Sequence, residues 1–279
     1  HYDTGNDLFS LMLDQRMNYS CGYWKNAKNL DQAQVHKLDL VCRKLHLKPG
    51  MKVLEIGCGW GGFAKYAAEN YGVSVHGVTV SQEQMEYAEQ SCKGLETTFE
   101  LKDYRELNTK YDSIVSIGMF EHVGYKNYRS YMEVARRCLS DNGLFLLHTI
   151  GRNTSTRATD PWTNKYIFPN GMIPSAEQIS KSAQGLFVIE DWHNFGQDYD
   201  PTLLAWNENF QKNYDSLKDK YDERFNDNNW NTDKIPFLGN AQANIFCKVD
   251  KLSSYSVSYT HLRAHETRGN LVCRLVREK

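Results

Sequence analysis

The 279 residues contain no run of about 18 apolar side chains, so no transmembrane helix is predicted. No charged leader precedes an apolar stretch, and no signal peptide is predicted. The chain begins at His1 rather than Met, which reads as a fragment. Neither charge dominates: 33 Lys and Arg stand against 34 Asp and Glu, a net charge of −1 at pH 7. Nucleic-acid binders usually carry a basic bias, so that partner class is set aside. A local basic patch against a membrane is compatible with the same balance. The seven cysteines (Cys21, Cys42, Cys58, Cys92, Cys138, Cys247 and Cys273) are odd in number and never spaced Cys-x-x-Cys. That points away from a disulfide scaffold and from any metal site, and toward a reducing cytosol. No internal repeat is present. What is there is 41% hydrophobic and 24% charged, a composition that builds a real core in one large domain or in a core with appendages.

From Met51 onward the apolar pattern alternates between strand-like and helix-like blocks. Strands are predicted at Met51–Ile56, Val73–Val80, Thr97–Leu101, Asp112–Ile117 and Gly143–Ile150, with helices at Phe63–Tyr71 and Tyr128–Leu139. Ser81 is expected to cap a helix, with Gln84 at capping-box spacing. The alternation implies βαβ units and a mostly parallel sheet covered by helices, an α/β fold that binds ligands at the carboxyl ends of its strands. Glu55 and Gly57, Thr79 and Ser81, Asp103, Glu121 and His148 all fall on that one rim. Residues 1–45 read as mostly helical, 151–175 as an inserted loop with turn signals, Leu186–Trp192 as a strand and Pro201–Phe225 as a helix. Ser253–Lys279 shows no clear period.

The strongest local motif is Glu55-Ile-Gly57-Cys-Gly59-Trp-Gly61-Gly62. Its glycines permit a tight strand-to-helix turn and a close approach of backbone to ligand, and the following helix N-terminus favours a carboxylate. Gly57, Gly59 and Gly62 also satisfy the dinucleotide pattern, which wants an acidic residue near the end of the second strand. Val78-Thr79-Val80-Ser81 stands there instead, and Glu55 suits a cationic donor of methyl groups. Taken singly, Glu121 reads equally well as a helix cap, His148 as a core histidine, Cys21 as a small buried apolar residue and Tyr19, Tyr23 and Trp24 as core aromatics.

Eight segments together change that balance: His1–Phe9, Tyr19–Trp24, Val53–Gly62, Gly77–Ser81, Gly118–Gly124, Leu146–Gly151, Lys165–Gly171 and Asp191–Gly196. In order and spacing they resemble the cyclopropane-fatty-acyl-phospholipid synthase family over about residues 1–225. The resemblance implies a class I S-adenosylmethionine-dependent methyltransferase fold, Rossmann-like. A helical cover at 1–45 is expected, then a methyltransferase domain at 46–225 with a lipid-binding insertion around 151–185. It implies methyl transfer from S-adenosylmethionine to the cis double bond of a phospholipid acyl chain, with bound bicarbonate removing the proton as the cyclopropane ring closes. The bicarbonate pocket carries over onto Cys21, Glu121, His148, Ile150 and Tyr199. The cofactor site carries over onto Tyr19, Ser20, Gly57, Gly59, Thr79, Gln84, Asp103 and Tyr104, beside Glu55, Gly61 and Ser81. A cytoplasmic protein peripherally bound to membrane phospholipid is expected, with a homodimer among the assemblies it admits. Alternatives are a small-molecule N-methyltransferase of the plant alkaloid type, which shares the Glu-His motif, and a non-catalytic cofactor-binding remnant.

The family pattern lapses after Phe225. Residues 226–279 have no counterpart, Cys247 does not stand in the family's context for a late cysteine, and Val257–Thr267 resembles translated adaptor sequence. This tail is expected to be disordered or artefactual, and an upstream domain of bacterial relatives is missing.

Overall fold

The computed structural model describes residues 6–157 and 170–216 and, for the backbone alone, 252–261. The expected strands appear as β1 (Lys52–Ile56), β2 (Ser74–Thr79), β3 (Thr97–Leu101), β4 (Tyr111–Ile117), β5 (Leu139–Arg152) and β6 (Phe187–Asn194). A seventh, β7 (Leu252–His261), completes one sheet in the order β3-β2-β1-β4-β5-β7-β6. β1 pairs in parallel with β2 and β4, β2 with β3, and β4 with β5. β7 runs antiparallel to both β5 and β6. The absence of any element after residue 253 is therefore corrected by the structure. Tyr255, Val257 and Tyr259 alternate with Ser256, Ser258 and Thr260, a period of two that marks a strand.

Helices fill the connections: α1 (Asn6–Met12), α2 (Leu30–Lys44), α3 (Gly62–Tyr71), α4 (Gln82–Ser91), α5 (Tyr128–Cys138), α6 (Ala176–Ala183) and α7 (Tyr199–Asn213). The first 45 residues are less helical than read: 13–29 form turns and extended chain between α1 and α2. α6 was not foreseen, although Ser175 and Gln178 form a reciprocal capping box at its start. The helix expected to reach Phe225 ends at Asn213 and continues as a 3₁₀ turn, Tyr214–Ser216. Residues 217–225, like the Lys165–Pro169 part of the insertion motif, lie outside the described residues.

The central strands bury both faces, so their side chains alternate between two cores. Leu54, Ile56, Ile114 and Phe145 pack with Tyr131 and Ala135 of α5. Val53, Val115 and Leu146 pack on the other face with Phe63 and Ala67 of α3 and Leu38 and Val41 of α2. A third cluster joins Phe9 and Met12 of α1 to Trp60 and to Trp206 and Phe210 of α7. It clamps the 13–24 segment over the carboxyl ends of the strands.

Candidate active site

The β1–α3 turn shapes the site first. Gly57 has φ +81°, and a Cβ there would meet Met119 Cγ at 2.6 Å. Its N–H and that of Cys58 both donate to Val78 O, which ties the turn to β2. Gly59, at φ +53°, would point a Cβ into open space, with nothing within 4 Å. The turn borders a cavity of about 190 Å³. Its walls include Tyr19 and Ser20, Glu55, Gly57 and Gly59, Thr79, Ser81 and Gln84, and Tyr104 and His122. At the β2–α4 turn, Ser81 caps α4 by accepting from Gln84 N at 3.3 Å. Thr79 Oγ1 accepts from Ser81 N at 3.2 Å and donates to the Gln84 carboxamide at 3.1 Å.

Two expected cofactor residues stand apart. Gly61 is the left-handed cap of α3 and packs on Ala88 and Cys92 rather than on the cavity. Asp103 caps the 3₁₀ turn Tyr104–Glu106, and its carboxylate is engaged by the backbone and guanidinium of Arg105. Lys102 and Tyr104 line the cavity in its place.

Glu55 is 3% exposed in the middle of the sheet. Burial pushes its carboxyl well above the ordinary glutamate range, against a backbone bond from Ala64 and the charge of Lys37. Ala64 lies in the first turn of α3, so Glu55 occupies part of the helix N-terminus that the sequence suggested for a ligand carboxylate. Its Oε2 is buried without a hydrogen-bond partner among the described residues.

None of the expected anion-pocket residues Cys21, Glu121, His148, Ile150 and Tyr199 borders that cavity; the structure joins Glu121 to Ile150 and His148 to Gly118. Glu121 lies in a 3₁₀ turn, Phe120–His122, after β4. Its Oε1 accepts the Ile150 N–H at 2.7 Å, while Oε2 is buried with no hydrogen-bond partner among the described residues. Burial raises the Glu121 carboxyl above its ordinary range, the bond from Ile150 opposing this. His148 and Ile150 lie within β5, which continues to Arg152, past the expected end at Ile150. His148 is 3% exposed, its carbonyl accepts Gly118 N–H at 2.9 Å, and its ring meets Phe195 at 5.2 Å. Burial, then the charges of Lys37, Lys44 and His193, push the imidazole down to about 3, so it stays neutral at ordinary pH.

Cys21 and Tyr199 approach from the cover. Cys21 is buried, with Sγ 3.4 Å from Gly22 O. Thr202 of α7 is the anchor: its Oγ1 accepts from Gly22 N at 3.1 Å and Trp24 Nε1 at 2.8 Å, and donates to Asp198 O at 2.7 Å. Asp198 Oδ2 also accepts Trp24 N–H at 2.8 Å. α7 thus holds the Cys21 loop one turn from its own first residue, Tyr199, whose ring packs edge-on against Trp206. Tyr19 is set between Phe9 at 5.3 Å and Trp206 at 5.1 Å.

Sequence reasoning missed the buried polar residues that hold this assembly: Asp14, Gln34, Lys37 and Thr202. A signal existed for two of them. Leu30, Gln34, Lys37 and Val41 follow one helical stripe at spacings of four, three and four, so two polar residues interrupt an apolar face. Among the described residues, no three His, Cys, Asp or Glu are grouped as a metal site, and no helix is long and apolar enough to cross a membrane.

The strand order 3-2-1-4-5-7-6, with only the seventh antiparallel among the described strands, and a cavity over the β1 and β2 carboxyl ends define a class I methyltransferase fold. The family model for mycolic acid cyclopropane synthetase matches residues 1–232, and the chain belongs to that family. It is 59% identical over 225 residues to the cyclopropane-fatty-acyl-phospholipid synthase of Escherichia coli (strain K12). That match covers 81% of this chain and 59% of that protein, so the chain spans little more than half of this relative's length. The cyclopropane synthase MmaA2 from Mycobacterium tuberculosis superposes with a TM-score of 0.82 at 28% identity, covering 93% of this chain and 95% of that one. Mycolic acid cyclopropane synthase CmaA1, complexed with SAH and CTAB, superposes with a TM-score of 0.81 at 29% identity, with the same coverage.

Proposed function

We propose that the chain transfers a methyl group from S-adenosylmethionine to the cis double bond of an unsaturated phospholipid acyl chain and closes a cyclopropane ring. The observation that carries this is one rim with two unlike halves: a backbone-built cavity at Gly57–Gln84, and beyond Gly118 a buried carboxyl, Glu121, with one oxygen unpartnered among the described residues. The residues fit both small groups. The open space over Gly59 suits a close-lying ligand, and Glu55 offers a carboxyl to a cation. The buried Glu121 Oε2 suits an anion's oxygen when the carboxyl is protonated. When bound, S-adenosylmethionine supplies an electrophilic methyl group and bicarbonate a base for the departing proton.

The chain's own residues then have distinct tasks. Ile150 N–H fixes Glu121 Oε1, and burial raises the carboxyl above its ordinary range; in its protonated form Oε2 serves as a donor to a small anion. His148, held neutral, presents a single N–H without adding positive charge beside a sulfonium and a cationic acyl chain. The packed aromatics Tyr19, Trp206 and Phe195 exclude water that would trap such a cation, and aromatic faces stabilise it. Cys21 and Tyr199 close the anion pocket from the cover. The substrate places the protein peripherally at the cytoplasmic face of a bilayer.

The test is incubation with labelled S-adenosylmethionine and cis-unsaturated phospholipid vesicles, with small amines as parallel acceptors. A methylene-bridged acyl chain is expected. Label on amines alone would assign the alkaloid-type reaction, and a folded protein that labels neither would overturn the reading.

A further inference from the structure

α2 spends two buried positions on polar side chains, and both reach the same residue. Gln34 Nε2 donates to Ser20 O at 2.8 Å, and Lys37 Nζ donates to Ser20 Oγ at 2.7 Å. Lys37 is 1% exposed, and an ammonium is costly to bury unless its surroundings make use of it. Ser20 itself borders the cavity.

The hydrogen-bond inventory gives this contact a direction. An ammonium has donors only, so toward Lys37 the Ser20 oxygen must accept. The Ser20 hydroxyl hydrogen is then left for another acceptor. A ligand carboxylate in the cavity needs such a donor, because Glu55 already takes the Ala64 N–H at the start of α3. We infer that Lys37 is a positioning residue that turns the Ser20 hydroxyl toward the carboxylate of an amino-acid-bearing nucleoside ligand. This rests on the cofactor reading proposed above and adds a residue and a direction to it.

The groups facing Lys37 come from every side: Asp14 from the turn after α1, Cys21 from the loop, Glu55 from β1 and His148 from β5. Burial pushes the ammonium down to about 8, while Asp14, Cys21 and Glu55 oppose the fall. Asp14, its own carboxyl raised by burial, is bonded to Asn18 and to the Arg16 N–H, and His148 is neutral. Above that pH the neutral amine accepts from Ser20, the hydroxyl turns inward, and carboxylate affinity falls.

The experiment is calorimetric titration of the full chain with S-adenosylhomocysteine and with 5′-methylthioadenosine, which lacks the amino-acid carboxylate. Lys37→Met and Ser20→Ala should each weaken S-adenosylhomocysteine by about tenfold (~1.4 kcal/mol) while 5′-methylthioadenosine changes less than about twofold. Wild-type affinity for S-adenosylhomocysteine should fall as pH rises through about 8, and this limb should be missing from Ser20→Ala. Unchanged binding by folded Lys37→Met, or equal losses for both ligands, would overturn the inference and leave the cofactor reading standing. If Lys37→Met does not fold, persistence of the pH limb in Ser20→Ala overturns it. Wild-type protein that binds neither ligand sinks the cofactor reading and this inference together.

Discussion

The two halves of the rim are built by opposite means. The cavity side, from Glu55 to Gln84, is formed by two successive strand-to-helix turns whose geometry is set by backbone: left-handed glycines, the Gly57 and Cys58 N–H groups on Val78 O, and the Ser81 cap. The residues expected to hold the anion are side chains from segments far apart in the chain: Cys21, Glu121 and His148 are buried and Tyr199 is half-buried. A backbone-built surface accepts a ligand through shape and N–H groups and is sensitive to any added Cβ. A side-chain-built pocket is sensitive to single functional groups and tunes their protonation through burial. On the proposed reading, the first half binds and the second half carries out the chemistry.

The largest expected effect comes from Glu121→Ala, which removes both the acceptor of the Ile150 N–H and the Oε2 donor. If the division holds, it lowers methyl transfer to vesicles by about a hundredfold, the usual weight of a positioned donor at a reacting centre, while S-adenosylhomocysteine affinity changes less than about twofold. Equal losses in both titration and turnover would break the comparison. Gly57→Ala probes the opposite half. Its positive φ and the contact with Met119 should destabilise the fold by about 2–3 kcal/mol in thermal or urea denaturation and weaken the nucleoside ligand. A variant as stable as wild type would show that the turn is not held by its backbone.

Thr202→Ala sharpens the boundary between the halves. It leaves Gly22 N–H and Trp24 Nε1 without their acceptor and should cost about 1–2 kcal/mol. Turnover should fall more than S-adenosylhomocysteine binding, because the loop carries Cys21 as well as Ser20; a loss confined to binding would place the anchor in the other half. The smallest effect is Asn29→Ala, which removes the α2 cap on Gln32 N and should lower stability by about 1 kcal/mol with catalysis unchanged in the folded fraction. A selective loss of ligand affinity would mean that the helix start, and not only Gln34 and Lys37, sets Ser20.

Legibility followed the same division. The six strands β1 to β6, the Ser81 cap and the glycine turn could be read because each depends on neighbours within a few residues, through periodicity, propensity and capping. α6 and β7 carried comparable signals, the Ser175–Gln178 box and the alternation of Tyr255, Val257 and Tyr259. They were passed over because turn residues around the one and the lapse of family motifs around the other suggested irregular chain. Asp103 falls on the expected rim by strand position, and its carboxylate is engaged there by Arg105, two residues on. Lys37 could not be valued from its identity, since lysine on a helix is ordinarily solvated and only packing shows it buried against Ser20.

By itself, the order of residues determined the strand-turn-helix units and which chemical groups stand at their ends, because local hydrogen bonding and side-chain periodicity act over a few residues. Tertiary structure alone decided that Glu121 meets Ile150, that α7 grips the Cys21 loop, that β7 enters between β5 and β6, and that Lys37 and His148 lose water. Burial and the meeting of distant segments belong to the packed chain as a whole, and they are what shift these groups' proton affinities.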